Sequence, residues 1–333
     1  MQPLSFSFPP RLPLAQTPTP LQPLARLART TGAPRVWIKR DDLTGAALTG
    51  NKVRKLEFAL AQALSDGCDT IITCGGLQSN HCRATALLCA QLGLRCELLL
   101  RGEAVAPYDG NLLLDHLAGA TVHTFAAAFY QSHLDALLRD TAERLRAQGR
   151  RPFVIPTGAS DGIGIWGYIA ACAEMRADFE RLQIAPEHIV CATGSGGTQA
   201  GLTAGVALHG IDAKVWGIAV CDDENYFTNK VRADLREWKQ RYRIELDVEA
   251  LPIHVIDTYM GPGYGLADPA VFDTIRRVGA SEGLVLDPVY TGKAFHGLLR
   301  EIENGRFAGA RDIVFVHTGG MFGLFPQRDQ LAL

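Results

Sequence analysis

Short apolar runs rich in β-branched residues alternate with helical patterns along most of this chain, and that alternation limits the possible folds more than any single motif does. The runs predict strands over 36–39, 70–74, 96–100, 121–124, 153–155, 189–192, 215–220, 253–256 and 313–316. Between them, apolar spacing predicts a helix opening near Lys52 and further helices over 81–92, 127–148, 165–182, 198–208, 269–282 and 292–304. Strand–helix alternation means βαβ units, hence an α/β fold with twisted, mainly parallel sheets and helices on both faces. Ligands in such sheets bind at the carboxyl ends of strands, in the loops that lead into helices, so those loops carry the functional question. A chain of 333 residues is long enough for two domains with separate cores, and the glycine-rich segment 158–167 is a candidate crossover between two lobes.

Composition narrows the function classes. With 47% apolar residues, 20% charged residues and a net charge of −2, the chain is an ordinary globular protein without the basic footprint of a nucleic-acid binder. Small molecules are therefore the expected partners. Residues 1–23 lack the basic segment and apolar core of a signal peptide, and no apolar run reaches the about 18 residues of a membrane span. The eight cysteines form no CxxC pair and read as small hydrophobes in a reducing cytoplasm, with no metal expected.

Lys52 is the first candidate for chemistry. The helix it opens carries Leu56, Leu60 and Leu64 at a spacing of four, with Arg54 and Glu57 on another face. The helix macrodipole disfavours an ammonium there. Either the side chain points into water, or it is held neutral or covalently engaged, which is how a lysine becomes a nucleophile or Schiff-base former. Behind the strand over 189–192 come Thr193, Gly194, Ser195, Gly196, Gly197 and Thr198, then a helix. Such a loop aims several backbone N–H groups at one point and makes a phosphate cradle, although a tight turn without ligand has the same sequence. Gln199 rules out a dinucleotide fingerprint, and Asn51 between Gly50 and Lys52, with Val53 in place of a hydroxyl, rules out a Walker motif.

After the strand over 70–74 stand Gly75, Gly76, Leu77, Gln78, Ser79, Asn80 and His81. Ser79 or Asn80 caps the next helix on any reading, and the successive donors form a wall able to hold a carboxylate or a ring oxygen. Tyr264 lies in a turn-rich loop, Tyr290 and Thr291 stand within the run from Leu286 to Lys293, and the last strand runs into His317, Thr318, Gly319 and Gly320. A lysine amine, an anion site, a donor for a ring oxygen and a partner for a ring nitrogen are together what pyridoxal phosphate requires.

Five motifs in this order, Gly50 to Glu57, Gln78 to His81, Thr193 to Thr198, Leu286 to Lys293 and His317 to Gly320, resemble the 1-aminocyclopropane-1-carboxylate deaminase and D-cysteine desulfhydrase family over residues 18–325. The resemblance implies the fold of the tryptophan synthase β-subunit, a homodimer, and pyridoxal 5'-phosphate between two lobes, the smaller spanning 51–160 and the larger 1–50 plus 161–333. It implies that Lys52 carries the cofactor, Lys55 lies near its phosphate, Asn80 meets its ring oxygen, and Thr193, Gly194, Ser195, Gly196, Gly197 and Thr198 hold the phosphate. Ser79 and His81, beside Asn80, would take the substrate carboxylate, with Tyr264 and Tyr290 as acid, base or positioning groups. In the family pattern, deaminases place a glutamate after the second tyrosine and a leucine before the last glycine pair, where this chain has Thr291 and Thr318.

A carboxylate at the ring nitrogen would make the strong electron sink that ring opening needs, whereas a hydroxyl suffices for a good β-leaving group. The resemblance thus points to α,β-elimination from a D-cysteine-like amino acid, giving pyruvate, ammonia and hydrogen sulfide. Three alternatives stand beside it: sulfite release from L-cysteate, ring-opening deamination, and non-catalytic binding of cofactor or amino acid. Departures from the family pattern at 321–323 and at 161–166 place Met321 and Trp166 where they would reshape the pocket, and 221–225 either borders the substrate or caps a solvated helix.

Overall fold

The structure is a computed structural model that describes residues 6–27 and 34–332. Residues 1–5, where the leader reading begins, lie outside the described part. In chain order the elements are β1 Leu21–Pro23, β2 Arg35–Lys39, α1 Lys52–Ser65, β3 Thr70–Gly76, α2 Asn80–Leu92, β4 Arg95–Arg101, α3 Gly110–Leu117, β5 Thr121–Phe125, α4 Ala127–Ala147 and β6 Pro152–Val154. They continue with α5 Trp166–Leu182, β7 His188–Thr193, α6 Gly197–Leu208, β8 Lys214–Ala219, α7 Glu224–Tyr242, β9 His254–Ile256, α8 Pro269–Glu282, α9 Thr291–Glu303 and β10 Asp312–Val316.

The strands form two sheets, one of four strands in the order β5-β4-β3-β6 and one of six in the order β1-β2-β10-β7-β8-β9. Every pairing is parallel except that of β1 with β2. The predicted α/β class is therefore the observed one. β3 and β10 are buried along nearly their whole length, the environment that continuous apolar runs require in a parallel sheet covered on both faces. The segment 158–167 does connect the two sheets, leaving β6 at the edge of one and entering α5 beneath the other.

Two helices and one strand went unpredicted. α3 is short, and α7 is strongly charged, although its buried Phe227, Val231 and Leu235 recur at a spacing of four. β1 is three residues long and ends in proline, which is tolerated on an edge. The predicted stripe on α1 needs correction. Leu64 is exposed, while the first nine residues are all buried, Arg54 and Glu57 on their other face included. Arg54 donates to Asp41 at 2.8 and 2.9 Å and to Glu174 at 2.7 Å, and the Glu57 carboxylate accepts from the Leu14 and Ala15 amides. These partners clamp the helix that carries Lys52 onto α5, the turn after β2 and the N-terminal segment. Among the described residues no helix is long and apolar enough to cross a membrane.

Candidate active site

The carboxyl ends of β3, β4, β7 and β8 converge on a cavity of about 410 Å³ between the two sheets. Its wall includes Lys52, Ser79, Asn80, His81, Thr193, Gly194, Ser195, Gly196, Thr198, Tyr264, Tyr290 and Thr318. Lys55, Gly197 and Thr291 stand behind that wall and do not line it.

Lys52 opens α1 as a buried side chain whose amine has no hydrogen-bond partner among the described residues, and burial pushes its pKa down from 10.5 to about 8. A Cβ added to Gly158 would lie 3.0 Å from the Lys52 Nζ and 2.4 Å from the Ser195 Oγ, so only glycine lets this loop pass there. Lys55 donates to the Gly158 carbonyl at 3.1 Å and the Ser160 hydroxyl at 3.2 Å, and burial holds its pKa well below the ordinary lysine value. Ser160 bonds Ser195 at 2.8 Å and accepts from the Gly197 amide at 3.1 Å.

The glycine loop follows β7 and enters α6 through Gly196, whose φ of 85° lies in the left-handed region that favours glycine. The amides of Gly194, Ser195, Gly196 and Thr198 find no backbone acceptor, and the buried Thr193 hydroxyl is unpartnered. A helix N-terminus of this kind directs free donors and positive potential at one point, which suits it to an anion. Asn51 donates to Thr198 at 2.9 Å and joins the α1 end of the cavity to the cradle.

On the opposite wall Ser79 caps α2 by accepting from the Cys82 amide at 3.2 Å. The Asn80 carbonyl oxygen accepts from Asn111 at 3.0 Å, which leaves the Asn80 amide NH2 as the free donor. His81 overturns one expectation. Its Nε2 lies 2.7 Å from the Thr73 hydroxyl, whose own proton goes to the Ile155 carbonyl at 2.8 Å, so Nε2 must donate. Burial keeps the ring neutral, and the unpartnered Nδ1 is then an acceptor that cannot bind a carboxylate. Any carboxylate at this wall meets the backbone N–H groups at the start of α2 instead.

The Tyr264 and Tyr290 hydroxyls bond each other at 2.6 Å. Burial pushes Tyr264 up to about 12 and Tyr290 well above the ordinary tyrosine value, so both stay protonated at neutral pH. The Thr291 hydroxyl accepts from the Asp287 amide at 2.9 Å and donates at 2.7 Å to the Asp287 carboxylate, which caps the start of α9 by accepting from the Tyr290 and Thr291 amides. Its proton is thereby committed to the cap, and Thr318 is the hydroxyl that meets the cavity. Trp166 likewise departs from expectation: it packs against Phe8, Trp238 and Tyr242, away from the cavity, and Met321 is not on the wall either. Both readings of 221–225 hold in part, because Cys221 and Asp222 line the rim while Asp223 caps α7.

Sequence reading missed Ser160, Lys293 and Arg101. Buried Lys293 donates to the carbonyls of Val220, Met260 and Gly263 at 3.0, 2.6 and 2.8 Å and so fixes the Tyr264 loop. The strand-end rule alone would have flagged Ser160 and Arg101, since each follows or ends a strand of the smaller sheet.

Comparison with known proteins bears on this arrangement. Residues 12–319 match the family described as pyridoxal-phosphate dependent enzyme. The chain is 41% identical over 331 residues to the bifunctional D-cysteine desulfhydrase/1-aminocyclopropane-1-carboxylate deaminase of Arabidopsis thaliana, covering 96% of this chain and 80% of that protein. It is 40% identical over 322 residues to the D-cysteine desulfhydrase of Salmonella newport, covering 95% of each. A crystal structure described as an ACC deaminase homologue superposes with a TM-score of 0.87 at 39% identity, covering 97% of this chain and 95% of that one.

Proposed function

The chain belongs to the pyridoxal-phosphate dependent enzyme family, and on that premise we propose that it is a carbon–sulfur lyase that uses this cofactor to eliminate the β-substituent of a D-cysteine-like amino acid, releasing pyruvate, ammonia and hydrogen sulfide. The observation that carries the reading is the Lys52 amine, which is buried, unpartnered and pushed down to about 8 opposite a glycine loop.

The residues present fit the cofactor, on the ground that the buried Thr193 hydroxyl, the unbonded amides of the α6 cradle and the lone Lys52 amine all lack partners within the protein. Lys52 would hold it, the cradle from 194 to 198 its phosphate, Asn80 its ring oxygen and Thr318 its ring nitrogen. Lys55 and Gly197 would support the cradle from behind, and Thr291 the α9 end of the site. When bound, this group withdraws electrons from the substrate α-carbon and makes its hydrogen acidic.

The chain's own groups divide the remaining work. The start of α2, with Ser79 as its cap, takes the substrate carboxylate. Lys52, near-neutral in slightly alkaline solution, takes the α-proton at Nζ. Tyr264 and Tyr290 are too weakly acidic to serve as that base; as protonated phenols they orient the side chain and donate to the departing group. Among the described residues no carboxylate faces the inner wall. Asp287 is occupied by three amides and the Thr291 hydroxyl, and Asp222 is exposed at the rim. That environment supports a ring nitrogen left neutral and hence elimination over ring opening. The reading includes a smaller lobe over 51–160 and a homodimer, the latter measurable by sedimentation.

Protein reconstituted with pyridoxal phosphate is assayed with D- and L-cysteine, L-cysteate and 1-aminocyclopropane-1-carboxylate, scoring keto acid, sulfide and sulfite. Sulfide and pyruvate from D-cysteine, lost with the visible absorbance in Lys52→Ala, are expected. Keto acid from the cyclopropane substrate alone, or a Lys52→Ala variant with parental spectrum and turnover, would overturn the reading.

A further inference from the structure

Resting on the elimination reading, we propose that Arg101 forms a subsite for an anionic group on the substrate β-carbon, the group that leaves. Arg101 ends β4, in register beside Gly76 of β3, and lines the cavity. Its guanidinium lies 4.9 Å from the centroid of the Tyr264 ring. Buried Arg54, by contrast, is matched to Asp41 and Glu174, and buried Arg83 bonds the Thr49 carbonyl. The Arg101 guanidinium makes no hydrogen bond or ion pair among the described residues, Asp222 on the rim included, while its backbone pairs in the sheet. Stacking on a ring face leaves the edge N–H groups of a guanidinium free to meet an anion.

Position decides which part of a substrate Arg101 meets. From the cradle outward the order is Gly194, Tyr290, Tyr264 and Arg101: a Cβ on Gly194 would touch the Tyr290 ring at 3.0 Å, the two phenols bond at 2.6 Å, and the guanidinium covers Tyr264. An amino acid with its carboxylate at the start of α2 and its amine toward Lys52 has one substituent left, and among the described residues Arg101, beside Tyr264, is the cation other than Lys52 on the wall that can meet it. In the elimination, Lys52 removes the α-hydrogen as a proton, the C–H electron pair becomes the Cα–Cβ double bond, and the leaving group departs with both electrons of its bond to Cβ. No oxidant or reductant takes part. A thiolate or a sulfite leaves with negative charge, which the guanidinium stabilises where it develops. The substrate class is therefore amino acids whose β-substituent is anionic or leaves as an anion of sulfur.

Calorimetric titration of the cofactor-loaded protein with aspartate and asparagine, in both enantiomers, isolates this subsite, because the two differ in β-charge and neither carries a leaving group. The parent is expected to bind one enantiomer of aspartate at least about tenfold more tightly than the matching asparagine, Arg101→Met and Arg101→Gln to bring the two within about twofold, and Arg101→Lys to retain part of the preference. A parent without preference, including one that binds neither, or a preference undiminished in the neutral variants, overturns the proposal. The parental comparison needs no variant and so survives misfolding of either. D-cysteine turnover by the parent tests the elimination reading separately: its absence alongside an Arg101-dependent aspartate preference would sink that reading and leave the anion subsite standing.

Discussion

Lys52 illustrates how a single residue is set for its task at the expense of the fold. The unfolded lysine titrates near 10.5 and the folded one near 8, so between those values the unfolded chain binds more protons and stability rises with pH. Below about 8 the burial penalty is present in full. Lys52→Met removes it, and in the cofactor-free protein we expect stability at pH 7 to increase by up to about 3 kcal/mol, with the gain vanishing near pH 10.5. Denaturant melts at pH 7 and pH 10 measure this, and a variant destabilised at pH 7 would contradict it. The amine was visible in the sequence from its place at a helix start, but its neutrality depends on walls contributed by residues far along the chain. The tautomer of His81 was hidden for the same reason, since it is imposed by Thr73 and, through it, by the Ile155 carbonyl.

At the scale of elements, the packing of α2 on α3 buries a charge pair that is not closed. Arg83 leaves two guanidinium nitrogens unpartnered, and both carboxylate oxygens of fully buried Asp115 lack a partner. Burial pushes the Asp115 carboxyl up from 3.8 to about 8. Across that window the folded state binds the extra proton, so this residue costs stability progressively as pH rises from about 4 to about 8. Asp115→Asn is expected to flatten the decline and to add on the order of a few kcal/mol at pH 8, with no gain near pH 4. Thermal melts across the series check this, and parallel pH profiles for parent and variant would refute it. The same helix pair supports Asn80 through Asn111, so the element that presents Asn80 to the cavity is itself pH-sensitive. α3 was not predicted at all, because it is only eight residues long.

For the whole molecule, the cavity lies between two sheets and is completed by contacts that cross from one half to the other, such as Asn51 to Thr198 and Ser160 to Ser195. A ligand that binds only the folded form stabilises it by about 2.7 kcal/mol when its free concentration is about 100 times Kd. Pyridoxal phosphate at that excess is expected to raise the melting temperature of the parent by several degrees and that of Lys52→Met by much less, as followed by calorimetry; equal shifts would place the cofactor elsewhere. The sequence alone determined the α/β class, the positions of nine strands within a residue or two, and the loops that carry the lysine, the cradle and the tyrosines. These are properties of periodicity and residue type, which neighbours along the chain carry locally. Tertiary structure decided that the Thr291 hydroxyl is tied to Asp287 while Thr318 meets the cavity, that His81 donates through Nε2 to Thr73 and leaves only the acceptor Nδ1 unpartnered, that the phenols stay protonated, and that Arg101 stands unpaired beside them. Hydrogen-bond direction, charge state and solvent exclusion arise from atoms brought together across the fold, and no local pattern encodes them.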